Sequence, residues 1–361
     1  LFTKSSRYKD ALEMNLESKI ILDSISKNNS PKYQSVFSRI SKNYYYLGNL
    51  DSAIYYCEKA INISKNFYGK GSFQYANELH QLGFYLNKIG NTVESISTLN
   101  KSLEIKKDIF SPNHFSILKT KRLLGSIYRQ NKMFKLSDSL IHEVFTNNEK
   151  YFNNNLIDLG SKEKELYIGK FIVEELNDYS SYFLDRISDN YNIDTSNFIS
   201  TIINSWINVR SVILYDRVKT NHLIKQSNDS LLTQLNNKYI SQKSQLGLLY
   251  EKSINEIEYE NLRLSKKEDQ LSNLELDINK LLSNFKEINK QYKWLDIRNK
   301  LKPNEAYLEI IKVVSSNKDT ISIFDSSDQY TEEWQLNTSY LIIIIKNDQI
   351  VPEFVVLNNG N

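Results

Sequence analysis

The sequence predicts a mainly α-helical chain: a solenoid of paired helices, then long charged helices with coiled-coil character, then an incomplete α/β segment. Three observations predict this. A pattern recurs every 42 residues through 1–150, seven apolar residues recur every seven positions from Tyr250 to Tyr292, and the last stretch consists of short β-branched runs. A fixed period of a few tens of residues means stacked supersecondary units rather than one globular core.

Small residues define the period. Ser41, Gly83 and Gly125 share one phase, Gly48, Gly90 and Lys132 a second, and Ala11, Ala53, Ser95 and Ser137 a third. Larger residues keep step, as in Ile40, Leu82 and Leu124, in Tyr44, Leu86 and Tyr128, and in Tyr8, Leu50 and Phe134, where Thr92 is the weak member. Within 33–47 and 75–89 the apolar positions fall three and four apart, which is helical spacing. Small residues are expected where two helices cross, because axes roughly 8–10 Å apart leave no room there for a long side chain. The segments 47–53 and 89–95 read as the turn between paired helices, with Gly48 and Gly90 supplying a left-handed helix end.

On these residues the chain resembles the tetratricopeptide repeat (TPR) family, in the longer-unit variety of kinesin-light-chain-like arrays. The basic unit is about 34 residues, so the remaining eight add about two helical turns or a longer loop. The segments 67–70 and 109–112, one period apart, read as that loop. The resemblance implies a protein or peptide ligand held on a concave face lined by the first helix of each unit. It assigns to that groove Lys42 and Tyr45, then Asn77, His80, Phe84 and Asn87, then Lys119, Arg122 and Arg129, with Ser35, Ser38 and Ser126 beside them. Tyr45 and Phe84 are the candidate aromatic anchors. Lys42, Arg122 and Arg129 suit an acidic or carboxylate-terminated peptide through charge-assisted hydrogen bonds. The competing reading of all these positions is an ordinary solvated helix face.

Composition narrows the class. A net charge of +3 and a pI near 8.5 lack the clustered basic patch of a nucleic-acid binder. No apolar run approaches the ~20 residues that span a bilayer, so no membrane segment is expected. Cys57 is the only cysteine, which excludes an internal disulfide and fits a reducing, cytoplasmic setting. The chain opens on Leu1 with no signal peptide and reads as an internal fragment at that end. There is no glycine-rich phosphate loop, HExxH or paired-cysteine zinc pattern, so no cofactor or metal is expected.

Beyond Phe145 the period decays. Residues 151–226 read as divergent repeats or capping helices, with Leu166, Ile168, Phe171, Ile172, Leu176, Phe183, Leu184 and Ile187 as core, a polar break at 192–194 and a further helix over 197–223. Residues 227–293 read as long charged helices. Tyr250, Ile257, Leu264, Leu271, Ile278, Phe285 and Tyr292 form one heptad row, but its companion row is Ser253, Glu260 and Lys267 before it becomes Leu274, Leu281 and Ile288. Only the second half fills both seams of a coiled coil. The first half is expected to lie along a helix of the same chain, with self-association through 250–292 as the alternative.

Residues 294–361 change class. The runs 306–314, 321–324, 338–346 and 350–357 are strand-like, and Asn347-Asp348-Gln349 reads as a tight hairpin. The uninterrupted run 341–345 predicts a strand covered on both faces. Covering both faces takes helices, so the chain is expected to stop inside an α/β domain. The order of parts, with Trp294-Leu295-Asp296-Ile297-Arg298 leading through Leu301-Lys302-Pro303-Asn304-Glu305-Ala306 into a strand, is similar to TPR–CHAT proteins, whose CHAT domain is a caspase-like cysteine peptidase. That resemblance implies a histidine–cysteine dyad on strand ends. Here His80, His114, His142 and His222 lie in the helical part, and Cys57 takes the core phase of Leu99 and Ile141. No catalytic residue is assigned, and no peptidase activity is expected of this chain. The functional expectation is a protein-binding regulatory scaffold at the N-terminal side of a CHAT-type peptidase, the alternative being a stand-alone TPR adaptor or the sensor half of a bacterial signalling protein.

Overall fold

The structure is a computed structural model. It describes residues 2–26, 30–155, 166–188, 194–227, 229–250, 293–316 and 336–358, with shorter stretches between 266 and 281. Two compact units emerge: 1–148 with 316–336, and 149–315 with 337–361.

The first unit is a run of antiparallel helices: α1 (Phe2–Ser26), α2 (Lys32–Tyr46), α3 (Leu50–Phe67), α4 (Phe73–Lys88), α5 (Thr92–Ile109), α6 (Phe115–Gln130) and α7 (Phe134–Asn155). The first helices of successive pairs are α2, α4 and α6. The second helices α3, α5 and α7 carry the phase that α1 also carries through Ala11.

Each pair is fastened where its helices cross. Ser41 Oγ of α2 donates to the Ala53 carbonyl of α3 at 2.7 Å. One and two periods on, the donor sits on the other helix: Ser95 Oγ reaches the Gly83 carbonyl at 2.6 Å and Ser137 Oγ the Gly125 carbonyl at 2.7 Å. Serine and its small partner have exchanged helices, yet the hydroxyl still satisfies a carbonyl in a dry contact. The three serines and Ala53 are all fully buried.

The neighbouring core position explains which helix may carry the serine. A Cβ on Gly83 would stand 2.5 Å from Leu99 Cγ, and one on Gly125 would stand 2.9 Å from Ile141 Cδ1. In the first pair that core phase holds Cys57, fully buried and smaller, and Ser41 is accommodated there. The helix ends follow the same period. Asn49 N–H donates to the Tyr44 carbonyl at 2.9 Å and Gly48 N–H to the Tyr45 carbonyl at 3.0 Å, and the same two bonds recur at Gly90–Asn91 and Lys132–Met133. These are Schellman closures, which place the residue after the cap in left-handed backbone. Gly48 and Gly90 hold φ of 82° without strain, whereas Lys132 holds 57° with a side chain attached.

The core runs continuously through the array. Ala53, Cys57, Phe84, Tyr85, Leu99, Leu103, Ile117, Leu123, Leu124 and Ile127 pack as one cluster, and Leu12, Tyr33, Val36, Phe37, Ile40 and Ala60 as another.

The second unit begins with a π-turn, Ile168–Ile172, running into α8 (Val173–Ser188), followed by α9 (Thr195–Ser227), α10 (Ser230–Tyr250) and the short α11 (Trp294–Arg298). Ile168, Ile172, Leu176 and Phe183 are buried as expected, but Leu166 is 65% exposed. The widened π-turn shifts the helical phase by about one residue, which takes Leu166 off the buried face. Ile278 packs with Ile224 of α9 and Leu232 of α10. This end of the heptad row therefore pairs with helices of its own chain; most of 250–292 lies outside the described residues.

Three strands follow, β1 (Ala306–Ser316), β2 (Leu336–Lys346) and β3 (Glu353–Asn358), in the order β1-β2-β3. β2 and β3 are antiparallel, with Leu341 opposite Val356 and Ile343 opposite Phe354. The third strand starts later than the run 350–357 suggests, after Pro352, which has no N–H to give a ladder. The expected strand at 321–324 lies outside the described residues. Leu341, Ile343 and Ile345 are fully buried, while Ile342 and Ile344 on the opposite face are half-buried. The expectation that this strand is covered on both faces is corrected: an antiparallel hairpin can leave one face open.

Two outcomes are expected from the crossing geometry. Gly83→Ala lowers stability by about 1–3 kcal/mol from overpacking, and adding Leu99→Cys, which reproduces the first pair, restores most of it in urea denaturation. Lys132→Gly raises stability by about 0.5–1 kcal/mol by relieving left-handed backbone, read as a higher thermal midpoint.

Candidate functional site

The first helices α2, α4 and α6 stand side by side and present the predicted groove residues. Lys42 and Tyr45 on α2, Asn87 on α4, and Lys119, Arg122 and Arg129 on α6 are half-buried, and Asn77 on α4 is exposed. Asn87 Nδ2 donates to Gln130 Oε1 at 3.2 Å, joining α4 to α6. Lys119, Arg122 and Arg129 each already take part in an interaction within the protein.

Two groove assignments are corrected. Phe84 is 5% exposed and belongs to the core cluster, where it meets Tyr45 edge-on at 5.0 Å and Tyr85 at 5.7 Å. His80 is also 5% exposed. Both follow from the width of the buried stripe on a central helix of a stack, which meets neighbours on two sides rather than one. Tyr45 remains at the surface as an aromatic group resting on Phe84, Tyr85 and Tyr46.

Beneath this face lies a polar layer of buried groups. His80 Nδ1 is 3.1 Å from Thr120 Oγ1, and Lys106 Nζ donates to the same oxygen at 2.9 Å. Thr120 passes its own proton to the Ser116 carbonyl at 3.1 Å. A hydroxyl has one proton to give, so with that bond made His80 is the donor at Nδ1 and Nε2 carries the lone pair. Burial, then the charges of Lys106, Lys119 and Lys42, holds the His80 imidazole well below its usual pKa. Burial also lowers Lys106 to about 7, with Lys119 adding to the effect. Glu78, two residues before His80, is 1% exposed and is raised to about 7 by burial, against the pull of Gln34, Ser38 and Lys42. Gln34 Nε2 donates to Glu78 Oε1 at 2.6 Å.

Glu78 and Lys106 were missed by sequence reasoning, yet the period marks them. Glu78 occupies the phase of Val36 and Thr120, and Lys106 that of Ser64, all buried positions. A charged residue in a buried phase is the signal.

Cys57 is fully buried, and burial raises its thiol well above the usual range, which disfavours the nucleophilic thiolate. Among the described residues no group of three His, Cys, Asp or Glu is placed to hold a metal ion, and no helix is long and apolar enough to cross a membrane.

The second unit has its own arrangement. Trp294 is buried and its N–H donates to Asn204 Oδ1 of α9 at 2.8 Å, while Arg298 Nη1 reaches the Gln349 carbonyl of the β2–β3 loop at 3.0 Å. The sheet is tied to α8 by Asn177, whose Oδ1 accepts from Val314 N–H at 2.8 Å and whose Nδ2 donates to the Val314 carbonyl at 2.9 Å. Glu309 of β1, buried, pairs with Arg210 of α9 at 2.6 Å and accepts from the Tyr307 hydroxyl at 2.5 Å. Leu308 and Ile310 of β1 are each 58% exposed, and Val355 and Leu357 of β3, across β2, are exposed as well.

The first unit is thus a solenoid of antiparallel helix pairs with a polar, aromatic-flanked face. Residues 32–108 match the family model of the tetratricopeptide repeat, so this part of the chain carries repeats of that kind. No curated protein sequence matches the chain. Among solved structures it is similar to BtubC (BKLC) from P. vanneervenii, at 14% identity and a TM-score of 0.38 over 41% of this chain. The match spans 58% of the BtubC chain. It is also similar to the nearly identical TPR-like repeats of a Podosopora anserina protein described as a kinesin light chain, at 12% identity and a TM-score of 0.40, covering 59% of this chain and 92% of that one. A single-residue variant of the latter scores 0.39. Likeness at this level says nothing of function.

Burial of Lys106 carries a stability consequence. Its folded pKa lies below the unfolded value, so the folded state loses stability as pH falls from about 10.5 towards 7. Lys106→Met is expected to stabilise the chain by about 2 kcal/mol at pH 7, with the gain fading above pH ~10.5, as read from urea midpoints across pH.

Proposed function

We propose that this chain is a cytoplasmic protein-binding regulatory scaffold and the N-terminal part of a CHAT-family cysteine peptidase whose activity the TPR array controls. The scaffold reading rests on the TPR array itself, since a stack of repeats builds an extended surface out of elements that each contact only their neighbours. The groove is formed by Lys42, Tyr45, Asn77, Asn87, Lys119, Arg122 and Arg129 around the polar layer that includes His80. Its ligand is an acidic or carboxylate-terminated peptide, because four cationic side chains line it and Tyr45 offers an aromatic platform.

The peptidase reading rests on the second unit. A lead-in anchored by Trp294 and Arg298 delivers the chain into a sheet packed on helices through one face, and the other face is apolar at Leu308, Ile310, Val355 and Leu357. An exposed apolar sheet face of this kind is a surface that further elements of the same domain would cover. The histidine and cysteine of the CHAT type would belong to residues following this segment. A partner held by the array would act by contacting the active and inactive arrangements of the peptidase unequally.

Fluorescence anisotropy with a labelled acidic peptide ending in a free carboxylate, against its amidated Gln/Asn counterpart, tests the groove. The acidic peptide is expected to bind and the Arg122→Glu/Arg129→Glu double variant to lose at least about tenfold in affinity; equal binding by variant and wild type overturns the assignment. For the peptidase reading, a coding sequence that continues past Asn361 without a histidine–cysteine pair would overturn it.

A further inference from the structure

Two buried polar joints occupy equivalent places in successive repeats. At the junction of α4, α5 and α6 the members are His80, Lys106 and Thr120, with Thr120 Oγ1 as the shared hub. Shifted back by 42 residues, the same three phases hold Ser38, Ser64 and Glu78 at the junction of α2, α3 and α4. There Gln34 and Ser38 of α2 bond the Glu78 carboxyl, while Glu78 Oε2 and Ser64 Oγ are buried with no hydrogen-bond partner. One joint is acidic and the other basic; the charge of Lys42 partly offsets Glu78, whereas the basic joint is faced by further cations.

The groups that face them sharpen the contrast. The Glu78 carboxyl meets Gln34, Ser38 and Lys42 from α2, and from α3 the Cys57 thiol lies 3.6 Å from the Glu78 carbonyl oxygen. His80 is faced by Lys42 from α2, Lys106 from α5 and Lys119 and Thr120 from α6, and Lys106 is faced by Lys119 and Thr120. Among the described residues no carboxylate acts on either member of the basic joint, and Lys106 is 1% exposed. A buried charge without a partner is costly enough that the local structure opens rather than holds it.

We propose that these are proton-linked joints of opposite sign, so that falling pH loosens the seating of α6 on α4 and α5 while rising pH loosens the seating of α4 on α2 and α3. Near neutrality both joints are therefore close to their loosest, and the basic one firms as pH rises above 7 while the acidic one firms as pH falls below 7. The direction follows from linkage. An opened lysine binds its proton at an ordinary pKa and the closed one only near 7, so opening at the basic joint grows as pH falls from 9 to 6. An opened glutamate ionises near 4.5 and the closed one near 7, so opening at the acidic joint grows as pH rises from 5 to 7.

Hydrogen–deuterium exchange on the full chain, corrected for the intrinsic pH dependence of exchange, reads both joints at once. Opening of α6 is expected to rise roughly tenfold or more from pH 9 to 6, and opening across the α2–α3–α4 junction to rise roughly tenfold from pH 5 to 7. Lys106→Met should flatten only the first profile and Glu78→Gln only the second. Unchanged pH profiles in the variants, or both joints moving in the same direction, overturn the proposal. Should a variant not fold, the wild-type Lys106 13Cε shift is followed by NMR: a titration near pH 7 supports the joint, and one at the ordinary lysine value, about 10.4, sinks it.

Discussion

A serine hydroxyl donating to a small residue's carbonyl at the helix crossing is the contact on which the array is built. Two helices approach closely only if one contributes a small residue, and close approach dries the crossing so that its polar atoms must pair with each other. The bonds Ser41–Ala53, Ser95–Gly83 and Ser137–Gly125 meet both demands with one side chain. The move of the serine from the first helix to the second is coupled to the neighbouring core residue, Cys57 in one pair and Leu99 or Ile141 in the others. Size at the crossing and size in the core are thus set together, and the closures at Gly48, Gly90 and Lys132 fix where each first helix stops.

With the pairs fastened, the remaining freedom lies between them. Successive first helices meet through buried polar groups as well as apolar ones: Gln34 to Glu78, and His80 and Lys106 to Thr120. Such contacts contribute little net stability when satisfied and are costly when charged and unpaired. Contacts between successive repeats are therefore mixed, with apolar packing running beside buried polar groups. In the second unit the same logic appears as Asn177 pairing with both backbone groups of Val314, and as Arg210 meeting Glu309 at the base of the sheet.

Much of this was legible in the residues. The 42-residue phases located the helix pairs, the left-handed turns and Cys57 as a core thiol, because a repeat writes the same packing constraint several times over. The lead-in at Trp294 and the hairpin after Lys346 were legible because turns and strand runs are local. The groove was only partly legible: Tyr45, Arg122 and Arg129 lie towards the surface, but Phe84 and His80, on the same helical phases, are buried. Phase says which side of a helix a residue occupies, not how far the neighbouring repeat reaches over it. Glu78 and Lys106 escaped because charged residues are assigned to solvent by default.

The sequence by itself determined the helix pairs, their crossing points and their ends, since each depends on residues within one period and on local backbone chemistry. Only the tertiary structure decided which polar groups are sealed inside, which carbonyl each crossing serine bonds, and which face of β2 stays open. Those outcomes depend on contacts between repeats and between sheet and helices, where burial is set by a neighbour distant in the chain rather than by the residue itself.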